Sequence, residues 1–448
     1  MSIDHWMMFA TFAEQRHFIY PSPTSYRGAI INGNMAAHAP EALAAFLLEK
    51  TGQEFAYIID PLVHAFQHSP TFITDAEGKP KSSIQKLADE YKSPVAEIVG
   101  RSALQPRAFQ NKDVLAGFVQ RCLQFQSCRL ADLMRDNDAL LKYLDPEETN
   151  FTPYALVAPY FYMDETTYQL WLPVMRQAIE LAKETDKQNR IFGAVVVSQG
   201  VILNPRIMEE IARELNAAKP NGYLLWVDNL DEQAAGGAEL QGLLQLAKML
   251  RDNGEREVIN LHGGYFSVLA AGVLGTGRYF TGVTHGPEFG EYRSVVPVGG
   301  GIPISRYYIP KLHARVKYRD AVPIFGEKGW LDDAPVFHKN VCNCDECRAT
   351  LSGNIKNFTA FGESVPKLVP RRGGAIVRID YPTTAARKHC LQHYLQRKAM
   401  EYQLSATGSE ANVLADLKSG VDDFADVIGL EGVSHLHLWA RAFGKTLP

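Results

Sequence analysis

The stretch Val341-Cys342-Asn343-Cys344-Asp345-Glu346-Cys347 places three cysteines within six residues, and Lys388-His389-Cys390-Leu391-Gln392-His393-Tyr394-Leu395 follows it further along the chain. Thiols at this C-x-C-x-x-C spacing cannot easily pair with one another as disulfides, but they can surround one soft tetrahedral cation and leave its fourth position to an imidazole. The pattern predicts a closed, structural zinc site. A site of four thiolates that includes Cys390, and buried cysteines without a metal, are the alternatives.

The bulk composition is that of an ordinary globular protein. The chain has 448 residues, of which 46% are hydrophobic and 21% charged, and its formal net charge is −4. A chain of this length can bury one large core and a smaller second one. The charge balance does not by itself indicate nucleic-acid binding, so any such surface must be a local patch of cations.

The sequence shows no sign of membrane insertion or export. It contains no run of about 18 apolar residues of the kind that spans a bilayer. Residues 1–16 include Asp4 and Glu14 and lack the basic start and small-residue cleavage site of a signal peptide. Free thiols grouped for a metal are typical of a reducing compartment. A cytoplasmic protein is therefore expected.

From residue 29 onward, short apolar runs alternate with polar loops and amphipathic segments, as parallel strands joined by crossover helices do. The predicted strands cover residues 29–35, 55–60, 154–159, 191–200, 222–228, 257–262, 278–285 and 306–318. Eight strands with interleaved helices predict a (β/α)8 TIM-type barrel, whose active site lies at the carboxyl ends of the strands. An open doubly wound sheet is the alternative, but no G-x-G-x-x-G follows the first strand.

A long helical segment interrupts this rhythm after the second predicted strand. Its apolar residues show heptad-like spacing over residues 83–143, which is too long for a simple crossover. A helical insertion at about residues 80–148 is therefore predicted within a barrel domain of residues 1–320. Residues 321–448 are predicted to form a zinc-binding subdomain with a helical tail.

Polar residues close several of the apolar runs, and in a barrel these strand ends face one cavity. Asp60 and Asp228 are candidate catalytic residues, because a carboxylate buried at the end of an apolar run is costly unless it is paired, hydrogen-bonded or functional. A turn before Pro61 and a helix cap are the structural alternatives for the two aspartates. The candidate substrate-binding residues at other strand ends are Phe161, Ser198, Gln199, His262 and His285.

These side chains suit a planar ligand. An amide such as that of Gln199 presents a donor and an acceptor side by side, which matches the edge of a nucleobase. An aromatic ring such as Phe161 can stack on a base, and histidines can exchange protons or donate hydrogen bonds. The structural alternatives are a solvated loop glutamine, a core aromatic ring and histidines that only support the strand ends.

Basic residues alternate along the last predicted strand, so their side chains share one face of an extended segment. Such a row is a candidate contact for nucleic-acid phosphates, and charged residues on a solvated strand face are the alternative. The row consists of His313, Arg315, Lys317 and Arg319, preceded by Arg306. Arg371-Arg372 is a second candidate.

The zinc motif, after a barrel of this rhythm, resembles the tRNA-guanine transglycosylase superfamily. In that superfamily C-x-C-x-x-C is followed by a helix that opens His-Asn-Leu-x-x-Tyr-Leu, and the matching phrase here is His389-Cys390-Leu391-Gln392-His393-Tyr394-Leu395. The resemblance implies that His389 is the fourth zinc ligand. Weaker matches are Asp60 through Gln67, Phe192 through Gly200, and Gly222 through Asp228, so the resemblance covers roughly residues 28–400.

The resemblance implies an enzyme that exchanges a guanine base, with one departure from the family pattern. Asp60 matches the aspartate that assists the exchange in that superfamily. The Met-Phe-Asp phrase that carries the nucleophile corresponds best to Tyr279-Phe280-Thr281, which lacks a carboxylate. Asp228 is the nearby strand-end carboxylate that can replace it. The branch that inserts 7-deazaguanine bases into DNA (the DpdA family) fits this altered set, the lengthened phrases and the insertion.

The expected function is a transglycosylase that replaces guanine in DNA with a 7-deazaguanine derivative, with Asp60 and Asp228 as its catalytic pair. The expected partners are DNA, the 7-deazaguanine base and other proteins of a DNA-modification system. Three alternatives stay open: an enzyme acting on tRNA with a relocated nucleophile, a non-catalytic nucleic-acid-binding subunit of a modification complex, and a hydrolase that releases the base.

Overall fold

The structure is a computed structural model that describes residues 3–10, 26–50, 55–137, 141–142, 152–286, 290–296, 304–370 and 376–447. The chain divides into two compact units, one of Met1–Gln15 with Tyr26–Val298 and the other of Arg16–Ser25 with Gly299–Pro448. The predicted boundary at residue 320 lies inside the second unit, because the segment taken as the last barrel strand belongs there.

Parallel strands form the sheet of the first unit. In chain order they are β1 (Asp4–Phe9), β2 (Gly28–Asn32), β3 (Ala56–Asp60), β4 (Leu156–Val157), the short β5 (Tyr162–Met163), β6 (Ile191–Val197), β7 (Gly222–Val227), β8 (Glu257–Asn260) and β9 (Gly282–His285). Paired strands follow the order β3-β2-β1-β9-β8-β7-β6-β4, and a bridge between Ile58 and Ala155 joins the two ends. The result is a nearly closed eight-stranded barrel, with β5 added beside the end of β6. The prediction of a barrel is confirmed.

Two strand predictions were wrong. The first barrel strand is β1, which precedes every predicted strand, so Asp60 ends the third strand and not the second. The run at residues 306–318 is not a barrel strand but a hairpin of β10 (Arg306–Ile309) and β11 (Ala314–Lys317) in the second unit. Pro310 and the left-handed backbone of His313 (φ 48°) turn this extended-looking run back on itself.

Apolar runs become strands here because parallel strands are buried on both faces. All seven residues of β6 and all six of β7 are buried. The polar residues that follow these runs, at Ser198 and Asp228, mark where each strand reaches the carboxyl end of the barrel. The strand pattern therefore positions the side chains of the candidate site.

Helices surround the barrel. Those of the first unit are α1 (Gly33–His38), α2 (Pro40–Leu48), α3 (Pro70–Ile73), α4 (Ser82–Tyr91), α5 (Val95–Ile98), α6 (Lys112–Arg135), α7 (Tyr168–Thr185), α8 (Gln199–Ile202), α9 (Pro205–Ala217), α10 (Gly237–Arg251) and α11 (Tyr265–Ala271). The predicted helical insertion corresponds to α3 to α6, between β3 and β4. It is several helices, because Pro94 and Pro106 interrupt the helical hydrogen bonds.

The second unit combines two hairpins with helices. Its helices are α12 (Tyr318–Glu327), α13 (Ala334–Asn340), α14 (Asp345–Leu351), α15 (Thr384–Thr407) and α16 (Glu410–Ala442), and its second hairpin is β12 (Ser364–Pro370) with β13 (Ile376–Pro382). Thr383 caps α15 by accepting a hydrogen bond from the Ala386 amide. Among the described residues, no helix has the length and apolarity needed to cross a membrane.

Candidate active site and metal centre

Asp60 ends β3 and is buried, with 2% of its surface exposed. Its Oδ1 accepts hydrogen bonds from the hydroxyl of Tyr160 at 2.6 Å and from the backbone N–H of Leu62 at 3.1 Å. Burial raises the pKa of Asp60 to about 6, against the opposing effects of these bonds and of the nearby Arg293 charge. The carboxyl group therefore titrates close to neutral pH, which suits a group that gives and takes a proton.

Aromatic and imidazole rings surround Tyr160. The Nδ1 atom of His64 lies 3.0 Å from the Tyr160 hydroxyl, and the two rings stack at 5.3 Å. Trp226 of β7 contacts His64 at 5.2 Å and His262 at 4.7 Å between ring centroids. Burial lowers the pKa of His64, and burial and the Arg293 charge lower the pKa of His262 to about 3. Both imidazoles are therefore neutral at physiological pH.

Asp228 follows β7 and is partly exposed. Its Oδ1 accepts a hydrogen bond from the backbone N–H of Val295 at 2.7 Å. The carbonyl of Arg293, two residues earlier, accepts hydrogen bonds from Trp226 Nε1 at 3.1 Å and from the Asn229 amide at 2.9 Å. The backbone N–H of Val295 thus holds Asp228, and the charge of Arg293 in the same segment lowers the pKa of Asp60 against the effect of burial.

Two predicted substrate-binding residues, Gln199 and Ser198, form hydrogen bonds near the ends of β6 and β7. The side-chain amide of Gln199 donates to the carbonyls of Asp228 and Asn229 at 3.1 and 3.0 Å. Ser198 caps α8 by accepting from the Val201 amide, and its hydroxyl donates to Glu165 at 2.7 Å. In this structure the two side chains support the strand ends, which is a positioning role.

Two other predicted substrate-binding residues lie in the packed core. Phe161 is fully buried and stacks on Trp171 with centroids 4.2 Å apart. His285 is buried, and its Nε2 lies 3.2 Å from the Nε2 of His5. In this structure both side chains contact neighbouring elements, and their role in substrate binding stays a prediction. His262 is the histidine of the predicted set that joins the rings around Trp226.

Sequence reasoning did not single out Trp226 or Arg293. Trp226 lies two residues before Asp228 on the same strand, so the period of two places both side chains on one face. This alternation could have identified Trp226 as a neighbour of Asp228. Arg293 lies in a loop outside any motif, and its place beside Asp60 depends on how the loop folds over the strand ends.

The second unit holds a cluster that suits a metal ion. Cys342, Cys344, Cys347 and His393 are buried, and their donor atoms all lie within 4.8 Å of one another. The Nδ1 atom of His393 is 3.6, 3.3 and 3.3 Å from the three sulfur atoms, taken in chain order. A tetrahedral zinc ion with ordinary bond lengths requires nitrogen–sulfur separations of about 3.6 Å. The donor set therefore fits a structural metal ion.

Neighbouring elements orient the ligands. Cys344 occupies the position before α14, Cys347 lies in the first turn of that helix, and His393 comes from α15. The Nε2–H of His393 donates to the carbonyl of Tyr308 at 2.7 Å, and its ring stacks on Tyr307 with centroids 4.3 Å apart. A hydrogen bond of this kind fixes the imidazole tautomer and leaves Nδ1 for the metal.

His389 was the predicted fourth ligand, and this prediction was wrong. It lies one turn before His393 on α15, where its Nδ1 pairs with Glu346 of α14 at 2.5 Å and contacts the Thr350 hydroxyl at 3.2 Å. Residues four apart share a helix face, so either histidine satisfied the sequence pattern. The packing of α14 on α15 decides between them.

Three of the five residues in the predicted row of cations share one face, and their contact with phosphates stays a prediction. Arg306 lies opposite Lys317 in the hairpin and Tyr308 opposite Arg315, so the three cations share one face. No ion pair joins these three to a carboxylate among the described residues. His313 is buried beside Glu401 and takes no part in this row. Arg319 lies in the first turn of α12, exposed and close to Asp320. The second candidate, Arg371-Arg372, lies outside the described residues.

Comparison with known proteins adds no family assignment, because neither a protein-family model nor a curated protein matches the chain.

Proposed function

We propose that this protein is a base-exchanging transglycosylase that replaces guanine in DNA with a 7-deazaguanine derivative. The observation that supports the proposal is the placement of Asp60 and Asp228 at the carboxyl ends of the barrel strands β3 and β7. One carboxyl group is buried with a raised pKa, and the other is partly exposed. Two carboxyl groups in contrasting environments suit a mechanism that needs a proton carrier and a nucleophile.

The reaction proceeds by two displacements. In the first, an oxygen of Asp228 attacks the anomeric carbon of the deoxyribose, a carbon–oxygen bond forms, and the bond to the guanine nitrogen breaks. The protonated carboxyl of Asp60 supplies the proton that the leaving base takes up. In the second, Asp60 removes a proton from the incoming base, whose nitrogen displaces Asp228. Configuration at the anomeric carbon is retained after two inversions.

The difference in burial between Asp228 and Asp60 decides which acts as the nucleophile and which carries the proton. Asp228 is the more exposed residue, and the Val295 amide fixes its orientation at the end of β7. Asp60 lies beneath Tyr160, whose hydroxyl contacts both the carboxyl and His64. This chain of hydrogen bonds holds a proton near the site at neutral pH. Arg293 is the cation that offsets negative charge when Asp60 ionises.

The metal is zinc in this proposal. The cysteines and His393 occupy four tetrahedral positions, and this closed site leaves none for substrate. Bound zinc would stabilise the second unit and keep α14 against α15. Thiolates that must stay reduced to hold the metal fit a cytoplasmic protein.

DNA as the substrate is supported by the hairpin cations. Arg306 and Lys317 lie directly opposite each other, and like charges so placed destabilise an antiparallel pair. Binding of phosphates to these cations would offset their repulsion. A base in a duplex must leave the stack to enter a barrel, which costs a few kcal/mol. Partner proteins of a DNA-modification system would contribute to that opening. Action on tRNA is the competing substrate assignment.

The experiment is incorporation of a radiolabelled 7-deazaguanine base into plasmid DNA and into tRNA. We expect label in DNA with the wild-type protein and none with Asp228→Asn or Asp60→Asn. Asp231→Asn is the matched control, because the side chain of this nearby aspartate accepts from the Gln233 amide. Label only in tRNA would refute DNA as the substrate. Nucleic-acid binding without any incorporation would favour the non-catalytic subunit, and release of free guanine would favour a hydrolase.

The role of the β10–β11 hairpin in DNA binding is tested separately, by filter binding over a range of salt concentrations. Arg315→Met with Lys317→Met should weaken binding to DNA and make the slope of log affinity against log salt shallower by about 0.9 for each phosphate that the protein no longer neutralises. Arg319→Met is the control. An unchanged slope in the double variant would exclude the hairpin from the DNA interface.

A further inference from the structure

A groove lies at the amino ends of the barrel strands, opposite the end that carries Asp60 and Asp228. Its volume is about 700 Å³, which is within the usual range for small-molecule sites. The residues just before or at the start of β6, β7, β8 and β9 contribute to it: Arg190, Asn221, Glu257 and Thr281. The end of α10 and the turn that follows it form another wall.

Cations and carboxylates line this groove in unequal numbers. The cations are Arg190, Lys219, Arg251 and Arg256, and the carboxylates are Asp252, Glu255 and Glu257. Arg190 pairs with Glu257 at 2.6 Å, and Arg256 pairs with Asp252. Arg251 and Lys219 are the groove cations that form no ion pair among the described residues.

Arg251 is a groove cation with an unsatisfied hydrogen-bond donor. It is half-buried at the end of α10, its Nε is buried without a hydrogen-bond partner, and no described carboxylate lies within ion-pair distance. Burial lowers its pKa, which shows that desolvation of the guanidinium outweighs the attraction of Glu257. The Nε of the buried Arg256 also has no hydrogen-bond partner among the described residues.

We propose that this groove binds a phosphate-bearing small molecule, with Arg251 and Lys219 as its principal contacts. A guanidinium presents two parallel donors that match two phosphate oxygens. The protein uses both ends of the Asn216 side-chain amide, with Tyr223 and Met249, and the side-chain oxygen of Asn221 accepts from the Ile191 amide. The phosphate is the group that the two cations recognise, and the site is independent of base exchange.

The test is thermal unfolding of the full chain with inorganic phosphate or pyrophosphate, against sodium chloride at equal ionic strength. We expect phosphate to raise the melting temperature of the wild-type protein, because a ligand bound only to the folded state stabilises it. In Arg251→Met the phosphate-dependent shift should disappear, with binding at least tenfold weaker. Its melting temperature without phosphate should be unchanged or higher, since the side chain has no ion-pair partner to lose.

Two further variants make the result specific. The double variant Arg315→Met/Lys317→Met alters the β10–β11 hairpin and should keep the full phosphate-dependent shift in melting temperature. Lys219→Met alters an exposed side chain and should reduce the shift even if Arg251→Met does not fold. The proposal is overturned if phosphate gives no more stabilisation than chloride, or if both groove variants keep the full shift.

A final comparison separates a small molecule from a nucleic-acid phosphate. A DNA oligonucleotide should bind the wild-type protein and Arg251→Met with equal affinity. Loss of oligonucleotide binding in Arg251→Met would refute the small-molecule assignment.

Discussion

At the scale of single residues, burial alters the proton equilibrium of Asp60 more than its hydrogen bonds do. The bonds from Tyr160 and Leu62 favour the ionised carboxylate, yet the pKa rises to about 6 from an ordinary value of 3.8. The folded protein therefore binds this proton more tightly than the unfolded chain. By linkage, Asp60 stabilises the fold below about pH 4, and that contribution is lost as the pH rises through about 6.

Asp60→Asn removes this pH dependence. Relative to the wild-type protein, we expect the variant to gain about 2.5 kcal/mol of unfolding free energy between pH 4 and pH 7, since each unit of pKa shift corresponds to about 1.4 kcal/mol and the unfolded carboxyl is already partly ionised at pH 4. Urea denaturation across this pH range measures the difference. A difference that stays constant with pH would show that Asp60 is not the titrating group.

Asp186→Asn is a control for which the change of stability with pH has the opposite sign. Burial alone would raise the pKa of Asp186, but hydrogen bonds from Asn189 and Gln188 together lower it. This carboxylate stabilises the fold above its ordinary pKa and loses that effect as the pH falls. Asp186→Asn should therefore lose stability relative to the wild-type protein as the pH rises, in contrast to Asp60→Asn.

The two histidines of α15 provide a second prediction at this scale. His393→Ala should abolish stoichiometric zinc binding, because its Nδ1 completes the cysteine cluster. His389→Ala removes a contact to Glu346 but no ligand, so it should retain zinc and lose only modest stability. Metal analysis of the purified variants measures the difference. Zinc absent from His389→Ala and present in His393→Ala would reverse the ligand assignment.

At the scale of secondary-structure elements, a buried ionic cluster connects the β10–β11 hairpin with α15 and α16. Glu401 accepts from Tyr308 at 2.5 Å and pairs with His313 at 2.7 Å and Lys398 at 3.0 Å. Asp416 of α16 reaches the other nitrogen of His313 at 3.2 Å. Burial alone would raise the pKa of Glu401, but Lys398 and His313 lower it to about 2.

Removing one member of this cluster leaves its partner charged and buried. Glu401→Gln and Lys398→Met should each destabilise the protein by about 3 to 5 kcal/mol, whereas the double variant Lys398→Met/Glu401→Leu should cost much less than the sum. Chemical denaturation of the zinc-loaded protein gives the three values. Additive costs would show that the pair does not act as a unit.

At the scale of the whole molecule, the two units differ in what stabilises them. The first has a barrel core of continuous apolar strands. The second contains a buried cysteine and histidine cluster that could hold a metal ion, and zinc bound in such a site would contribute on the order of 10 kcal/mol to folding. Chelation should therefore increase hydrogen exchange throughout residues 304–370 and 376–447 and leave residues 152–286 protected. Equal loss of protection in both ranges would show that the units unfold together.

Local sequence was enough to establish most of the barrel strands. Apolar runs long enough to be buried on both faces predicted seven of the barrel strands, since burial dictates composition at every position of such a run. The cysteine spacing indicated a metal site in the same way, because three thiols so close in sequence are necessarily close in space. Asp60 and Asp228 were identified as strand-end carboxylates for the same local reason.

Which candidate side chains meet depends instead on tertiary packing. His389 and His393 share one helix face, and the packing of α14 selects His393. His313 alternates with Arg315 in the sequence, yet a left-handed turn places it in a buried ionic cluster. The charge of Arg293 acts on Asp60, although the two residues lie more than two hundred positions apart in the chain. Such contacts depend on loop paths and packing between distant elements, which no local pattern encodes.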